Sequence, residues 1–347
     1  MTLAGTVSAP MPPLPSPRGE LSEAVLAALA EPVRPLVAPP LPAGADALVD
    51  EDLQLALYVM YELHYRGFDG ADEGWEWEPT LLALRRELES AFTRSLFALV
   101  GEPEQEDVAP EEMDVALRAI AEADDGPSLS TFLEREGTLE HVLEFVVHRS
   151  AYQLKEADPH AWALPRLSGQ AKAAIVEIEA DEFGGGRADR IHAVLFGQAM
   201  EELGLDPSYG AYLDRIPALT LATVNLMSLL GLHRRWRGAI VGHLALFEMT
   251  SSLPNRRYGN ALRRLGFGAR ATDFFDEHVE ADAVHESIAS TDLAGGLVRS
   301  EPALAGDVLW GARALAAIEA RWAAELLGAW EAGRTSLLAP LGDPAAA

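Results

Sequence analysis

The sequence predicts an all-α protein, a bundle of about ten helices. Apolar residues recur at three- and four-residue steps through most of residues 50–334. Strand-like alternation with hairpin signals is absent. Glycine and proline fall between the periodic segments, where helices stop.

Taken in order, residues 1–45 repeat Pro, Ala and Leu, as in Met11-Pro12-Pro13-Leu14-Pro15. They are expected to form a largely disordered tail holding one short helix near Glu20–Ala30. Asp50–Arg66 places Leu53, Ala56, Leu57, Met60 and Leu63 on one face, and Gly67 ends it. Pro79–Val100 is a long amphipathic segment stopped by Gly101. Glu111–Glu122 and Ser128–Glu136 are shorter, divided by Asp124-Asp125-Gly126-Pro127. Thr138 is a candidate N-cap for a helix to about Ala157, which Asp158-Pro159 ends. Ser168–Glu182 breaks at Gly184-Gly185-Gly186. Arg187–Leu203, Ile216–Leu232 and Arg235–Ser252 follow, and Asn255–Leu265 reads as a separate helix beyond Pro254. Ala271–Ser290 and Leu304–Arg334 close the bundle. The expected organisation is a tail (1–45), an N-terminal helical subdomain (46–125), a C-terminal bundle (126–335) and a flexible end (336–347).

Composition excludes several classes of function. The formal charge is −27, from 54 acidic and 27 basic residues. Phosphate recognition needs basic stripes, so a nucleic-acid partner is not expected, nor is an anionic membrane surface. There is no cysteine, which removes disulfides, thiolate metal sites, iron–sulfur clusters and thiol nucleophiles together. With no apolar run long enough to span a bilayer and no signal-peptide pattern, a cytoplasmic location is expected.

The chemistry concentrates in His278-Val279-Glu280-Ala281-Asp282-Ala283-Val284-His285. Spacings of four and seven return a side chain to the same helix face. His278, Asp282 and His285 therefore fall within roughly 60° of arc. Two imidazoles and a carboxylate on one face make half of a transition-metal site, suited to iron, manganese or zinc. The other half must come from facing helices. Glu177-Ile178-Glu179-Ala180-Asp181-Glu182 gathers four carboxylates at a helix C-terminus, against the macrodipole, which a cation would offset. His192 follows on an apolar face, a place where histidine is more often plain core. Glu248 stands mid-helix among apolar residues and needs a partner if buried. Glu144 and His148, four residues apart, read as a surface pair. His64 belongs to the N-terminal subdomain, His141, His160 and His233 show no convincing acidic partner, and His243 is not on one face with Glu248. Ferritin-like di-iron bundles use Glu-x-x-His twice, whereas here two Asp-x-x-His pairs occur, Asp189/His192 and Asp282/His285.

The ordered set Glu156, Glu182, His192, His278, Asp282, His285 resembles the ligand pattern of haem-oxygenase-like di-iron oxidases and oxygenases. The glutamate-rich segment through Glu182 with its following glycines, and then His192, looks like that family's first-ligand signature; the His278-x-x-x-Asp282-x-x-His285 run looks like its terminal one. The resemblance covers about residues 130–300. It implies a haem-oxygenase-like fold, two Fe(II) ions per chain, O2 as co-substrate and a peroxo-di-iron intermediate. Members oxygenate amines or guanidines, decarboxylate fatty acids or fragment amino acids. By resemblance all six residues are metal ligands, with Glu182 bridging; Glu156 matches one branch and Glu248 the later carboxylate used by others, so which of these two completes the set stays open.

A pocket beside the metals would draw on Phe183, Phe196 and Phe247, with Arg257 able to grip an anionic group. The expected partners are a small-molecule substrate, an external electron donor and a second copy of the chain, through helices within 50–122. Two alternatives stand against the oxygenase: a non-catalytic iron-binding, storage or regulatory bundle, and a true haem oxygenase with a histidine as axial ligand.

Overall fold

The computed structural model describes residues 11–37, 39–40, 46–123 and 126–342, with the side chains of 280–284 outside that description. Its α-helices are α1 (Glu20–Leu29), α2 (Glu51–Glu62), α3 (Pro79–Val100), α4 (Met113–Glu122), α5 (Leu129–Arg135), α6 (Leu139–Gln153), α7 (Asp158–Ala161), α8 (Gly169–Glu182), α9 (His192–Glu202), α10 (Ala218–Leu232), α11 (Arg237–Arg264), α12 (Ala269–Ser287), α13 (Gly296–Ser300) and α14 (Ala305–Glu331). No strand occurs among the described residues, in keeping with an all-α, haem-oxygenase-like bundle.

The helix starts follow local chemistry. Asp50 caps α2 by accepting from the amides of Asp52 and Leu53, and Glu78 caps α3 ahead of Pro79. Thr138 and His141 form a reciprocal cap on α6. α10 is apolar around nearly its whole circumference and is buried accordingly. α11 is the axis of the bundle, packed along α12 and α14. Where α11 crosses α14 the backbones nearly touch: a Cβ on Gly242 would lie 1.7 Å from the Val308 carbonyl oxygen, and one on Gly311 would lie 2.0 Å from that of Ala239. Only glycine permits this approach, which holds the middle of α11, and with it Glu248, against the rest of the bundle.

Pro254 does not end a helix. α11 runs through it, so the two helices expected on either side are one. An internal proline costs about 3 kcal/mol; packing against α5, α12 and α14 along the length of α11 outweighs it. Beyond α12 the chain widens into a π-helical stretch, Ile288–Gly295, which the sequence read as the end of a helix and a loop. π-turns gather at functional sites, and this one starts three residues after His285.

Residues 11–37 correct the expectation of a largely disordered tail. α1 buries Leu21, Val25, Leu26 and Leu29 on the body of the protein. The Asp52 carboxylate accepts from the amides of Leu21 and Ser22 at 2.9 and 2.6 Å. Arg18 donates to Glu51 at 2.6 Å and to the carbonyls of Leu213 and Ile216. One amphipathic helix of 10 residues outweighed the Pro/Ala composition. Residues 336–342 are likewise strapped down. Ser336 donates to Glu144, Leu337 is buried, and Leu338 donates to the Arg215 carbonyl at 2.8 Å. The break near residues 124–127 lies partly outside the described residues. The helices on either side of it share one hydrophobic core.

Candidate metal centre

Four elements supply the site. α6 ends at Gln153, and the next residues carry Lys155 and Glu156 inward. Lys155 donates to Glu62 of α2 at 3.0 Å, with its ammonium over the rings of Tyr65 and Tyr58 at 4.3 and 4.9 Å. Tyr209 donates to the same Glu62 carboxylate at 2.6 Å. Ala157 then takes φ 75°, a left-handed conformation costly for a residue with a Cβ. The segment bearing Glu156 is thus anchored on one side and strained on the other.

α8 brings Glu179 and Glu182 to one face at its C-terminus. The following Gly184, Gly185 and Gly186 have φ of 74°, 58° and 81°, a run that only glycine adopts readily. A Cβ on Gly184 would sit 2.7 Å from the backbone of Arg190 and Ile191. This tight return lays His192, the first residue of α9, back over Glu182. α12 presents His278 and His285 two turns apart, and α11 presents Glu248.

Glu156, Glu182, His192 and His278 are all buried, and ligand atoms from each lie within 4.8 Å of one another. Glu182, Glu248 and His285 form a second group on the same criterion, so Glu182 stands in both. Asp282 lies on α12 between the two histidines, and its side chain is outside the described residues. His278 donates from Nδ1 to the Phe274 carbonyl at 2.7 Å, which turns the Nε2 lone pair toward Glu156, 3.5 Å away. His192 Nδ1 and Glu182 Oε2 stand 2.7 Å apart, yet not in hydrogen-bond geometry. Both atoms, and Glu156 Oε2, are buried without a hydrogen-bond partner among the described residues. Buried orphans of this kind are rare and costly. Lone pairs converging on one another, with only nitrogen and oxygen donors, are what a hard or borderline cation such as iron requires. The residues fit a transition metal of the kind the spacing suggested, iron, manganese or zinc.

The electrostatics agree. Burial, reinforced by Glu248 and Asp181, pushes the Glu182 carboxyl up to about 7. Burial pulls His192 down to about 4, with His278 adding to the effect. Burial opposes charge on His285, but Glu248 at 3.2 Å from Nδ1 and Asp181 at 3.1 Å from Nε2 push it up to about 9. Burial, with Glu182 and Glu248, pushes Glu179 up to about 9.

These shifts set a stability profile. An acid raised on folding takes up a proton as the chain folds, so stability falls as pH climbs from the unfolded value to the folded one. A histidine raised on folding contributes below its unfolded value and loses that contribution as pH rises through its folded one. Glu179 and Glu182 therefore lower stability from pH 4.5 up to about 9 and about 7, and His285 joins them above pH 6.5. His148 and His160, both pushed down to about 3 by burial, act with His192 in the opposite direction below it. Chelator-treated protein is expected to be most stable near pH 6.5. Toward pH 9 it should lose up to about 1.4 kcal/mol per pH unit for each group titrating, and iron should flatten that limb. Urea midpoints across pH measure it; a midpoint climbing from pH 7 to 9 would contradict the arrangement.

The other predicted residues divide. Phe247 lines a small cavity of about 10 Å³ beside Glu156, Glu182 and Glu248, enough for about one water. Phe196 packs on Phe274 in the core, with ring centroids 5.0 Å apart. Phe183 is 37% exposed at the end of α8. Arg257 faces α5, within 3.3 Å of the hydroxyls of Ser128 and Ser130 and 4.0 Å from Glu134. The sequence pattern around it held no signal of which way α11 is rotated. Glu144 and His148 are not a surface pair. Glu144 accepts from Trp330 and Ser336, and His148 bonds Thr220 and Ser336, so both tie down the C-terminus. His233 does have an acidic partner, Glu89 of α3, at 2.9 Å. His160 and His243 pair with each other at 3.1 Å, and His160 reaches the cavity wall. Glu179 and Tyr152 also line that cavity. The acidic run had drawn attention to Glu179 only as one carboxylate of four; Tyr152 carried no signal.

A comparison with protein families matches residues 143–320, about half the chain, to a family described as iron-containing redox enzymes. A comparison with curated proteins finds no match.

Proposed function

Because the chain belongs to the family of iron-containing redox enzymes, we propose that it is an O2-dependent, non-haem di-iron oxidase or oxygenase acting on a small molecule. The observation that carries this reading is the pair of buried acid–histidine groups sharing Glu182. Glu156, His192 and His278 would hold one iron, Glu248 and His285 the other, with Glu182 common to both. Asp282 belongs with them by its place in the spacing. On this reading Glu156 and Glu248 do not compete for one position, since each stands in a different group. The carboxylates of Glu156, Glu182, Glu248 and Asp282 would balance two ferrous ions in charge.

Bound ferrous iron supplies the electrons and open coordination positions that dioxygen chemistry needs. The chain supplies the rest. The Phe274 carbonyl fixes the tautomer of His278, so that the Nε2 lone pair faces Glu156. Tyr152 and Phe247, edge to face at 5.7 Å, form part of the cavity wall. No helix among the described residues is long and apolar enough to cross a membrane.

Iron quantification after anaerobic reconstitution tests the reading. Two irons per chain are expected, followed by O2 uptake that a substrate accelerates. One iron or none per chain would overturn the di-iron assignment. Rapid conversion of added iron to a stable ferric mineral would point to storage, and a Soret band on adding haem to a haem oxygenase.

A further inference from the structure

The inner cavity has room for about one water, so a hydrated ion does not pass through it as it stands. A larger recess, of about 470 Å³, touches the centre at the glycine turn. Its wall includes His192 of the first group, together with Asp181, Arg187, Arg190 and Glu277. His192 is buried, and its Nδ1 has no hydrogen-bond partner among the described residues. Asp181 connects the recess to the second group, because its Oδ2 stands 3.1 Å from His285 Nε2. The two side chains differ sharply in their access to water. That of His285 is 1% exposed and that of Asp181 is 61% exposed. Glu156, Glu182 and Glu248 are all buried. Asp181 is thus a carboxylate that reaches solvent and a candidate ligand at once. The outer rim of the turn is open, since a Cβ on Gly185 or Gly186 would meet nothing within 4 Å.

The charges in the recess are unequally committed. Arg190 is held by Asp273 and Glu277. A divalent ion cannot shed its water all at once on the way into a closed interior, because the bare charge is too costly there. It must exchange water for protein oxygen in steps, and carboxylate oxygen suits ferrous iron. Asp181 offers the first step and Glu182, the next residue, offers the second. Both lie at the C-terminal end of α8, the end of a helix that favours a cation. The chain's net charge of −27 raises the local concentration of cations around it.

We propose that ferrous iron enters the centre through this recess, with Asp181 as a transit ligand that takes the ion from water and passes it to Glu182, Glu248 and His285. The inference rests on the iron-centre reading for the destination. Route and residence are nevertheless separate properties, the first read as a rate and the second as an affinity. A residue that only orients His285 would change the affinity. A transit ligand changes the rates of uptake and release together. The competing entrance is the side of the inner cavity where Phe247 and Ser251 are partly exposed.

The test follows anaerobic uptake of Fe(II) by the full chain, with unbound iron trapped by a coloured chelator at set times. Release to the same chelator, the dissociation constant and the final iron content are measured alongside. Asp181→Asn keeps an oxygen that can accept from His285 Nε2 but removes the charge. It should slow uptake and release alike by about tenfold or more, with the dissociation constant within about threefold of the parent's. Arg187→Glu adds a carboxylate to the recess at a position outside both candidate ligand groups. It should speed uptake about threefold or more at low salt, and the gain should shrink as salt rises. Ser251→Glu adds the same charge at the competing entrance and should leave the uptake rate unchanged. D181N loading at the parent's rate would overturn the proposal. So would D181N losing affinity with its uptake rate unchanged, which would leave Asp181 only orienting His285, or losing one iron outright, which would make it a resident ligand. Faster uptake in S251E and not in R187E would move the entrance to α11, and that result stands even where D181N does not fold. Failure of the parent to take up iron would instead strike the iron-centre reading on which the route depends.

Discussion

Replacing His278 by alanine is expected to remove at least one iron from each chain and to abolish O2-dependent turnover. His278 is 4% exposed and is the member of the first group whose orientation is independently fixed, by the Phe274 carbonyl. Disturbing a partner that only orients a ligand costs about 10–100-fold in metal affinity, so loss of the ligand itself should exceed that. The same change leaves Glu156 facing Glu182 and His192 across an emptied space, in a region already crowded with acid. His285→Ala should act on the second group, through Glu248 and Glu182, in the same way. Iron quantification after anaerobic loading gives the answer. Two irons retained in either variant would sink the assignment of the site.

Lys155→Ala is expected to destabilise the fold by about 3–5 kcal/mol, the usual cost of removing one partner from a buried ion pair. Lys155 and Glu62 have side chains 1% and 0% exposed, and no water can replace the lost ammonium easily. Among the described residues Glu62 would keep the Tyr209 hydroxyl and a long contact with the Arg66 amide, at 3.3 Å. The damage should reach the metal centre, because Glu156 is the next residue and Ala157 holds a strained backbone that the surroundings must enforce. Weaker iron binding is therefore expected alongside the lower urea midpoint. A Lys155→Met, Glu62→Gln double variant removes both charges and should recover most of the stability. Lys155→Ala falling within about 1 kcal/mol of the parent would show that the pair is not what holds this segment.

Both predictions concern neighbouring residues, yet they were unequally visible in the sequence. His278 announces itself, since a helix converts spacings of four and seven into one face without help from the rest of the fold. Lys155 carries no such pattern. Its partner Glu62 is 93 positions away, and no local pattern encodes that meeting. The same limit explains Arg257, whose helix was found but whose rotation about the axis was not. It also explains Pro254, where the local penalty was read correctly and the packing that outweighs it could not be. Glu179 was legible as an acid in an acidic run, while the burial of its Oε2 with no hydrogen-bond partner among the described residues was not.

The sequence by itself determined the helical character of the chain, most helix starts and stops, the absence of thiol chemistry, and the face shared by His278 and His285. These follow from periodicity, capping and composition, which act over a few residues. Tertiary structure alone decided that residues 11–37 join the core, that α11 passes through Pro254, that Glu182 is common to two groups, and that Glu179 Oε2 is buried with no hydrogen-bond partner among the described residues. Those outcomes depend on which helix faces meet and how closely, here set by Gly242 and Gly311 at the crossing of α11 with α14 and by the three glycines that fold His192 back over Glu182. Burial then turns otherwise unremarkable acids and imidazoles into a site, because in a region closed to water each charge must find its counterpart from another part of the chain or from a ligand.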